Sequence, residues 1–323
     1  MKSYKIKFPH GIMFHHFHGK DHAIVQGSID DETISNIIEF IGIENILNAD
    51  EWAHKFQNHT LKSNQVCITF DDAIKSQVDI ALPKLRSYGL TGFFFIYSSI
   101  FQGIKEKLEI YRYFRTTQFS SIEEFYEEFF NHLKKSRVSD KIQNKLKNFN
   151  SMNYLKNFPF YSKLDKKFRY IRDEILTKDE YCIIMDTIIQ ESKINLETVY
   201  KKLWISENDL KKINKEGHVI GLHSYSHPTK LSYLSYKNQN EEYIKNKKHL
   251  EKITSEIFVM SHPSNSYNLD TLKILKNLGI TMGFRADMNT SPSITDAATG
   301  TVSPIKSNLE IPRQDHSIIT SML

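Results

Sequence analysis

The sequence predicts an α/β fold, and two observations support this prediction. Short apolar runs alternate along the chain with longer segments that repeat apolar residues at helical spacing. Several helical segments also end beside a glycine, as at Gly89, Gly217 and Gly279. A chain of 323 residues with this alternation is long enough for one large α/β domain.

The individual elements follow from these patterns. Each predicted strand is a short run rich in β-branched, aromatic or other apolar residues, and each predicted helix has an apolar face. The predicted strands are Gly11–Phe17, Val66–Phe70, Gly92–Tyr97, Val219–His223, Ile257–Ser261, Thr281–Phe284 and Leu309–Ile311. The predicted helices between them are Glu32–Ile41, Ile74–Tyr88, Glu207–Glu216, Tyr236–Lys252 and Leu269–Leu278.

The alternation is interrupted between about residues 103 and 205, where helical patterns such as Ile122–Lys134 and Lys178–Glu191 replace the strands. We interpret this segment as a helical insertion. The stretch from His132 to Arg172 contains twelve Lys and Arg residues against two Asp, a net charge of +10 in a chain whose total is +5. This excess is typical of a solvated helix face, or of a surface that attracts a phosphate-bearing carrier or an anionic membrane.

Cysteine usage and hydropathy indicate the compartment. Cys67 and Cys182 are far apart in apolar surroundings, which is typical of a reducing environment. The basic start of the chain lacks an apolar stretch behind it, and the run Gly92–Phe101 is too short to cross a bilayer. We therefore expect a cytoplasmic protein whose membrane contact, if any, is peripheral.

Two predicted strands lead directly into side chains that bind metals. Val66–Phe70 is followed by Asp71 and Asp72, one of which can ligate an ion while the other acts as a base. An alternative is that one of these Asp residues caps the next helix. The strand ending at His223 is followed by His227, and two imidazoles at this spacing can converge on one ion where the backbone turns.

These residues lie in motifs of a known family. TFDDA at 69–73 resembles the TFDDG motif of the polysaccharide deacetylases, the NodB-homology group of carbohydrate esterase family 4, and HSYSH at 223–227 resembles their H-[ST]-x-x-H motif. The block that begins at Phe258 resembles their third motif. The resemblance covers Gly11–Tyr97 and Trp204–Asp315, and the insertion lies outside it.

The resemblance implies a distorted (β/α)7 TIM-like barrel, with residues 1–323 forming a single deacetylase domain that contains a helical insertion at about 103–205. It also implies one divalent metal ion, with zinc expected first and cobalt, nickel or manganese as alternatives. By the same resemblance, Asp71 is the general base, and the metal ligands are Asp72, His223 and His227.

The general acid requires a separate argument. Many relatives place it near the C-terminus, but members that act on poly-N-acetylglucosamine carry it on an N-terminal strand resembling L-M-Y-H. Ile12-Met13-Phe14-His15 is similar to that strand, which makes His15 the candidate, with His16 and His18 as competitors. Strand alternation predicts that His15 and His16 point to opposite faces, so that only one enters the site.

The chain also departs from the family pattern. Ala73 replaces the usual glycine, and Ser261–Asn265 stands where many relatives carry Arg-x-Pro-Tyr-Gly. Arg313 is our candidate to orient Asp71 in place of the missing arginine. His262 is a candidate substrate contact or alternative proton donor.

The expected activity is metal-dependent removal of an N-acetyl group from an amino sugar, in a glycan or glycan precursor of cell-surface polysaccharide biosynthesis. One alternative is a deformylase or deacetylase of a lipid-linked or nucleotide-linked sugar, and another is a carbohydrate-binding protein that has lost catalysis. Nucleic acid is not an expected partner, because no nucleic-acid-binding motif accompanies the basic segment.

Overall fold

The computed structural model describes residues 4–104, 106–155, 161–289, 294–295, 302–303 and 307–323. These residues belong to two compact units, one formed by 1–106 with 202–323 and the other by 107–201. None of the described helices is both long and apolar enough to span a bilayer. Lys156, one of the twelve cationic residues of the basic stretch, lies outside the described residues.

The first unit contains the strands and the helices that alternate with them. The strands are β1 (His10–Phe14), β2 (Val66–Phe70), β3 (Gly92–Ile96), β4 (Val219–Leu222), β5 (Val259–Ser261), β6 (Met282–Phe284), β7 (Ile294–Thr295), β8 (Val302–Ser303) and β9 (Arg313–Asp315). The helices of the chain are α1 (Asp31–Ile41), α2 (Ala49–Gln57), α3 (Leu82–Ser87), α4 (Lys107–Thr117), α5 (Ile122–Lys135), α6 (Ser139–Leu146), α7 (Lys163–Tyr170), α8 (Lys178–Ser192), α9 (Leu196–Leu203), α10 (Glu207–Lys215), α11 (Tyr236–Leu250), α12 (Leu269–Asn277) and α13 (His316–Thr320).

Seven strands form one parallel sheet in the order β6-β5-β4-β3-β2-β1-β9. The two ends of this sheet approach each other, because Ile311 forms a parallel bridge with Phe284 two residues before β9 begins. The result is a nearly closed barrel surrounded by helices, so the predicted (β/α)7 barrel is confirmed.

Alternation along the strands separates two apolar cores. Ile12 and Phe14 point outwards and pack with the surrounding helices. Phe93 and Phe95 point inwards and pack with Phe284, Met282 and Cys67. Trp52 of α2 belongs to this inner core and is fully buried.

Some predicted boundaries are wrong. The strand predicted at Leu309–Ile311 is displaced along the chain. The strand that pairs with β1 is β9 (Arg313–Asp315), and Ile311 contributes a single bridge to Phe284. The predicted strand Gly11–Phe17 ends at Phe14.

The predicted helix Ile74–Tyr88 is likewise divided, into a π-helical turn at Gln77–Ala81 followed by α3. Pro83 lies at the start of α3, and its missing N–H prevents a continuous α-helix through this turn.

The second unit is helical. Its core contains stacked and edge-on aromatic rings from three helices, with Phe129 and Phe168 at a centroid distance of 4.9 Å and Phe129 and Tyr181 at 6.2 Å. Phe125 and Phe129 on α5 are fully buried, and they set which face of that helix points to the core.

Candidate metal and catalytic site

The strands bring their polar residues to one rim of the barrel. In a parallel sheet the carboxyl ends of all strands lie at the same edge, and alternate residues point inwards. Asp71 continues the inward row of Cys67 and Thr69, and His223 continues the inward row that contains Gly221. The two motifs, 150 residues apart in the chain, therefore meet inside this rim.

Asp71 is held by a bidentate ion pair. Arg313 donates from Nη1 to Oδ1 and from Nη2 to Oδ2 of Asp71, each at 2.7 Å. Ser261 also donates to Oδ2 at 3.2 Å and accepts from Arg313 at 2.8 Å. The carboxylate is thus fixed in one orientation by partners from β5 and β9.

Arg313 is itself completely buried, with its guanidinium 5.6 Å from the centroid of the Phe95 ring. The side chain fits because Gly11 faces it. A Cβ atom at Gly11 would lie only 3.0 Å from Cγ of Arg313. The small residue on β1 therefore makes room for the long cation on β9.

These contacts determine the charge of Asp71. Burial alone raises the pKa of this carboxyl group, but the charge of Arg313 and that of His223 act in the opposite direction and bring the pKa below its usual value. Asp71 is therefore ionised at neutral pH, as a proton acceptor must be.

Asp72 forms a cluster with the two histidines of the second motif. Oδ1 of Asp72 lies 3.3 Å from Nε2 of His223 and 3.3 Å from Nε2 of His227. The three side chains each offer a ligand atom within 4.8 Å of the others. Two ligands about 2.0–2.2 Å from an ion at a tetrahedral angle lie roughly 3.4 Å apart, so this spacing fits a bound zinc ion.

The hydrogen bonding of the cluster supports the same interpretation. Oδ1 of Asp72 is buried and has no hydrogen-bond partner among the described residues, which is costly for a carboxylate unless a cation is bound. Nδ1 of His223 donates to the carbonyl of Ser261 at 2.9 Å. In a neutral ring that bond leaves Nε2 unprotonated, with its lone pair facing Asp72. Metal-bound histidines have the same arrangement, in which the other ring nitrogen donates an outer hydrogen bond.

The charges of the metal-free cluster are coupled. Burial raises the pKa of Asp72, but the neighbouring imidazoles of His227 and His223 outweigh it and hold the pKa well below the usual range. Burial lowers the pKa of His223, and Asp71 and Asp72 together raise it above the usual value. Protons therefore compete with a cation for this site at acidic pH.

The histidine loop is shaped by its own hydrogen bonds. Ser224 and His227 have φ angles of 62° and 53°, left-handed values that turn the chain back so that both imidazoles face the same point. Glu242 of α11 accepts from the backbone N–H groups of Tyr225 and Ser226. Asn246, one turn later, accepts from the N–H of His223 at 3.0 Å.

The turn after β2 is strained in a similar way. Asp72 and Ala73 have φ angles of 76° and 53°, and a residue with a Cβ atom adopts such values at a cost of about 1–2 kcal/mol. Glycine would remove that cost at position 73, where the family motif has it. Gln77 stabilises the turn by donating to the carbonyl of Asp71 at 2.6 Å and to that of His15 at 2.8 Å.

His15 lies at the open side of the site. Its Nε2 is 3.9 Å from Oδ2 of Asp71 and 4.0 Å from Oδ2 of Asp72, and its side chain is 28% exposed. Of the candidate acids in the sequence, it is the one that the structure places beside both carboxylates.

The other two candidates lie elsewhere. His18 is half-buried and pairs through Nδ1 with the hydroxyl of Ser28 at 2.8 Å. His16 is buried, and its ring stacks on His15 with an interplanar angle of 10° and a centroid distance of 6.3 Å. Since β1 ends at Phe14, the strand alternation from which opposite faces were predicted for His15 and His16 does not extend to these residues.

His262 is placed differently from either predicted role. It is 1% exposed, its Nε2 lies 2.8 Å from the carbonyl of Leu309, and its ring stacks on Tyr267 at 4.0 Å. Burial lowers the pKa of His262 to about 3, so the ring is neutral at physiological pH. In this structure it is a packing residue, and the roles of substrate contact and proton donor are not supported.

Sequence reasoning missed two contributors to the site. Ser261 joins Asp71, Arg313 and His223, although it occupies the position where the family arginine would stand. Tyr97 packs its ring 5.4 Å from that of His227 and accepts a hydrogen bond from the indole N–H of Trp204. The available signal was that Tyr97 lies two residues after Phe95, an inward-facing residue of β3, and therefore continues the same inward row.

Comparison with known proteins adds to this geometry. Residues 184–283 match the family model described as polysaccharide deacetylase, and this segment contains both histidines of the cluster. The resemblance to the polysaccharide deacetylases is confirmed. The match to the polysaccharide deacetylase model covers less than half of the chain and does not include Asp71 and Asp72. These two residues contact the matched segment through His223 and His227. A comparison with curated proteins finds no match.

Solved structures of deacetylases share the fold. A de-N-acetylase from Aggregatibacter actinomycetemcomitans superposes with a TM-score of 0.53 at 11% identity, covering 98% of this chain and 99% of that one. The Streptococcus pyogenes deacetylase PplD, in complex with acetate, has a TM-score of 0.52 at 15% identity, covering 96% and 92%. The BpsB deacetylase domain from Bordetella bronchiseptica has a TM-score of 0.50 at 11% identity, covering 96% of each chain.

Proposed function

We propose that this protein is a metal-dependent hydrolase that removes acetyl groups from N-acetylated amino sugars of a polysaccharide. The observation that supports this most directly is the pairing of two unlike carboxylates at one rim. Asp71 is ionised and held by Arg313, whereas Asp72 offers an unpartnered oxygen to two histidines.

Asp72, His223 and His227 would hold the ion, and the carboxylate and imidazole donors suit zinc, with cobalt, nickel and manganese as alternatives. A divalent ion in such a site acts as a Lewis acid and lowers the pKa of a bound water to about 7. Three protein ligands leave further coordination positions for water and substrate, as in catalytic sites.

Asp71 is the proposed base. It remains ionised because of Arg313, and both of its oxygens are fixed, so it accepts a proton from the attacking water without having to reorient. Ser261 contacts both groups: its hydroxyl donates to Asp71, and its backbone carbonyl accepts from Nδ1 of His223. It therefore helps to fix the position of the carboxylate relative to the imidazole.

His15 is the proposed acid. When the C–N bond breaks, the leaving amine must gain a proton, and the partly exposed imidazole beside both carboxylates is placed to supply it. The products would be acetate and a free amino group on the sugar.

The substrate class rests on the family. The matched model is described as polysaccharide deacetylase, and the solved structures with the same fold include a de-N-acetylase and a deacetylase bound to acetate. An N-acetylated glycan is therefore the proposed substrate, within cell-surface polysaccharide biosynthesis. Binding of a phosphate-bearing carrier or an anionic membrane through the basic stretch 132–172 stays a prediction from charge.

The test is acetate release from oligomers of N-acetylglucosamine, measured with chelator-treated protein and again after adding back zinc, cobalt, nickel or manganese. We expect release that requires the metal and disappears in Asp71→Asn. A metal-loaded wild-type protein that binds the oligomers but releases no acetate would contradict the proposal and favour a carbohydrate-binding protein.

A further inference from the structure

Gln77 connects the two chain segments that carry the proposed base and the proposed acid. Its Nε2 donates to the backbone carbonyl of Asp71 at 2.6 Å and to that of His15 at 2.8 Å. The side chain is 1% exposed, and its Oε1 has no hydrogen-bond partner in the part of the chain that the structure describes. The two carbonyls therefore fix the orientation of this amide.

This bridge lies where pairing between the first two strands ends. β1 and β2 pair in parallel as far as Phe14 and Phe70, and the N–H of Asp71 still donates to the carbonyl of Phe14 at 3.2 Å. The backbone of His15 lies beyond the last paired residue of β1. Gln77 thus holds the two strand ends together at the point where the sheet no longer does so.

The neighbouring Ser76 holds the same segment two residues further along. Its hydroxyl accepts from the N–H of Phe17 at 3.1 Å, and it is 3% exposed. Gln77 begins the π-helical turn Gln77–Ala81, and such turns are rare and frequent at functional sites. Residues 15–17 are therefore attached at two points to the chain that follows β2.

The attachment matters because the side-chain contacts of His15 with the two carboxylates are long. Its Nε2 lies 3.9 Å from Oδ2 of Asp71 and 4.0 Å from Oδ2 of Asp72, which is too far for hydrogen bonds. Such contacts do not fix the imidazole, so its position depends on the backbone that Gln77 holds. Asp71, by contrast, is fixed independently by its pair with Arg313.

We propose that Gln77 is a positioning residue that sets the distance between the acid, His15, and the base, Asp71. This inference rests on the proposed function, in which the C–N bond breaks and the departing nitrogen takes a proton from His15. Without the bridge, His15 moves away from the leaving group while Asp71 stays with Arg313. Gln77 therefore matters most for substrates whose leaving group needs a proton.

The experiment compares two substrates of the metal-loaded full chain. Oligomers of N-acetylglucosamine lose an amine that must be protonated, whereas 4-nitrophenyl acetate loses a stable phenolate that leaves without a proton. Gln77→Met keeps the length of the side chain and removes both donors. We expect kcat for the oligomers to fall about ten- to a hundredfold, while ester hydrolysis, corrected for the rate of Asp71→Asn, stays within about twofold of wild type.

Gln239→Met is the matched control. Gln239 is also fully buried, and its Nε2 also donates to a backbone carbonyl, that of Leu234 at 2.9 Å. This substitution should leave the ratio of the two rates unchanged. If Gln77→Met instead lowered both rates equally, its role would be structural and the proposal would be overturned.

A double variant tests whether the effect passes through His15. Added to His15→Ala, Gln77→Met should lower kcat for the oligomers by less than about twofold, because the acid on which it acts is already missing. A further loss as large as that seen in the wild-type background would overturn the proposal.

Crystal structures of wild type and Gln77→Met give a readout that does not depend on activity. We expect Nε2 of His15 to lie at least about 1 Å further from Oδ2 of Asp71 in the variant, with the pair to Arg313 intact. If wild type releases no acetate but His15 moves in this way, the proposed function fails and the positioning role stands. An unmoved His15 overturns the positioning role whatever the activity. Gln77→Asn, whose amide is one methylene shorter, replaces Gln77→Met if that variant does not fold.

Discussion

Two clusters, the barrel cluster (Asp72, His223 and His227) and the helical cluster (Glu128, His132 and Glu191), contain the same kinds of side chain but hold them differently. In the barrel, His223 is 1% exposed and has a hydrogen bond at its Nδ1 and another at its backbone N–H. In the helical unit, His132 lies at a helix edge between two glutamates that are largely open to solvent. The ligand types are alike, whereas burial and outer hydrogen bonding are not.

The two clusters also differ in what lies beside them. The barrel cluster lies beside Asp71, a second carboxylate that has its own counter-charge and is therefore free to accept a proton. In the helical cluster both carboxylates contact His132 directly. The barrel thus has an oriented carboxylate beside its cluster, whereas the two carboxylates of the helical cluster are each paired with a ring nitrogen of His132.

The largest expected effect is that of His223→Ala. Because His223 both binds the ion and joins Ser261 to Asp72, we expect the barrel metal to be lost and acetate release to fall by more than about a thousandfold. A variant with full activity would show that the barrel cluster is not the reaction site.

Asp71→Asn should separate metal binding from catalysis. The amide keeps the size of the carboxylate but cannot accept the proton, so we expect turnover to fall by roughly 10²–10⁴ while the barrel metal is retained. Acetate release and metal content are measured on the same sample. Near-normal turnover with metal bound would show that the base is another group.

Arg313→Lys tests how much the orientation of Asp71 contributes. Lysine keeps the charge but loses the bidentate geometry, and we expect a decrease in kcat of about ten- to a hundredfold with the metal retained. Arg86→Lys is the matched control, because Nη2 of Arg86 donates to both carboxylate oxygens of Glu216 at the exposed surface. If the two substitutions lowered kcat equally, the orientation of Asp71 by Arg313 would not be what the reaction depends on.

A smaller effect is expected from acid on the barrel unit. Burial lowers the pKa of His10 and His218 to about 4 from 6.5, so folding favours their neutral forms. Their stabilising contribution is complete above pH 6.5 and is lost as the pH falls towards 4, by up to about 3 kcal/mol for each group.

His218→Asn preserves an acceptor for the N–H of Gly92 and should flatten this dependence in urea unfolding followed between pH 4 and 7. His54→Asn, at an exposed position, should leave it unchanged. If both variants keep the wild-type slope, the buried histidine is not the source of the acid sensitivity.

Much of the barrel could be predicted from the sequence because its strands are buried on both faces and appear as apolar runs. Val66–Phe70 was predicted with its correct ends, and the paired motifs located Asp71, Asp72, His223 and His227 at the strand ends. Their roles in the reaction stay predictions until they are tested.

The errors arose where long-range contacts decide the outcome. The last strand was placed at Leu309–Ile311 because those residues are apolar, whereas pairing with β1 selects the more polar Arg313–Asp315. Ser261 gives no pattern in the sequence, and its importance follows from three partners that are distant in the chain: its hydroxyl contacts Asp71 and Arg313, and its backbone carbonyl accepts from His223.

The pairing of Arg313 with Asp71 also has a consequence for synthesis of the chain. The two residues are separated by 242 positions, and Arg313 belongs to the last strand of the sheet. During translation the carboxylate emerges early and receives its guanidinium partner late, after β9 has left the ribosome and docked against β1. Until then Asp71 of the nascent protein has neither its counter-charge nor its fixed orientation.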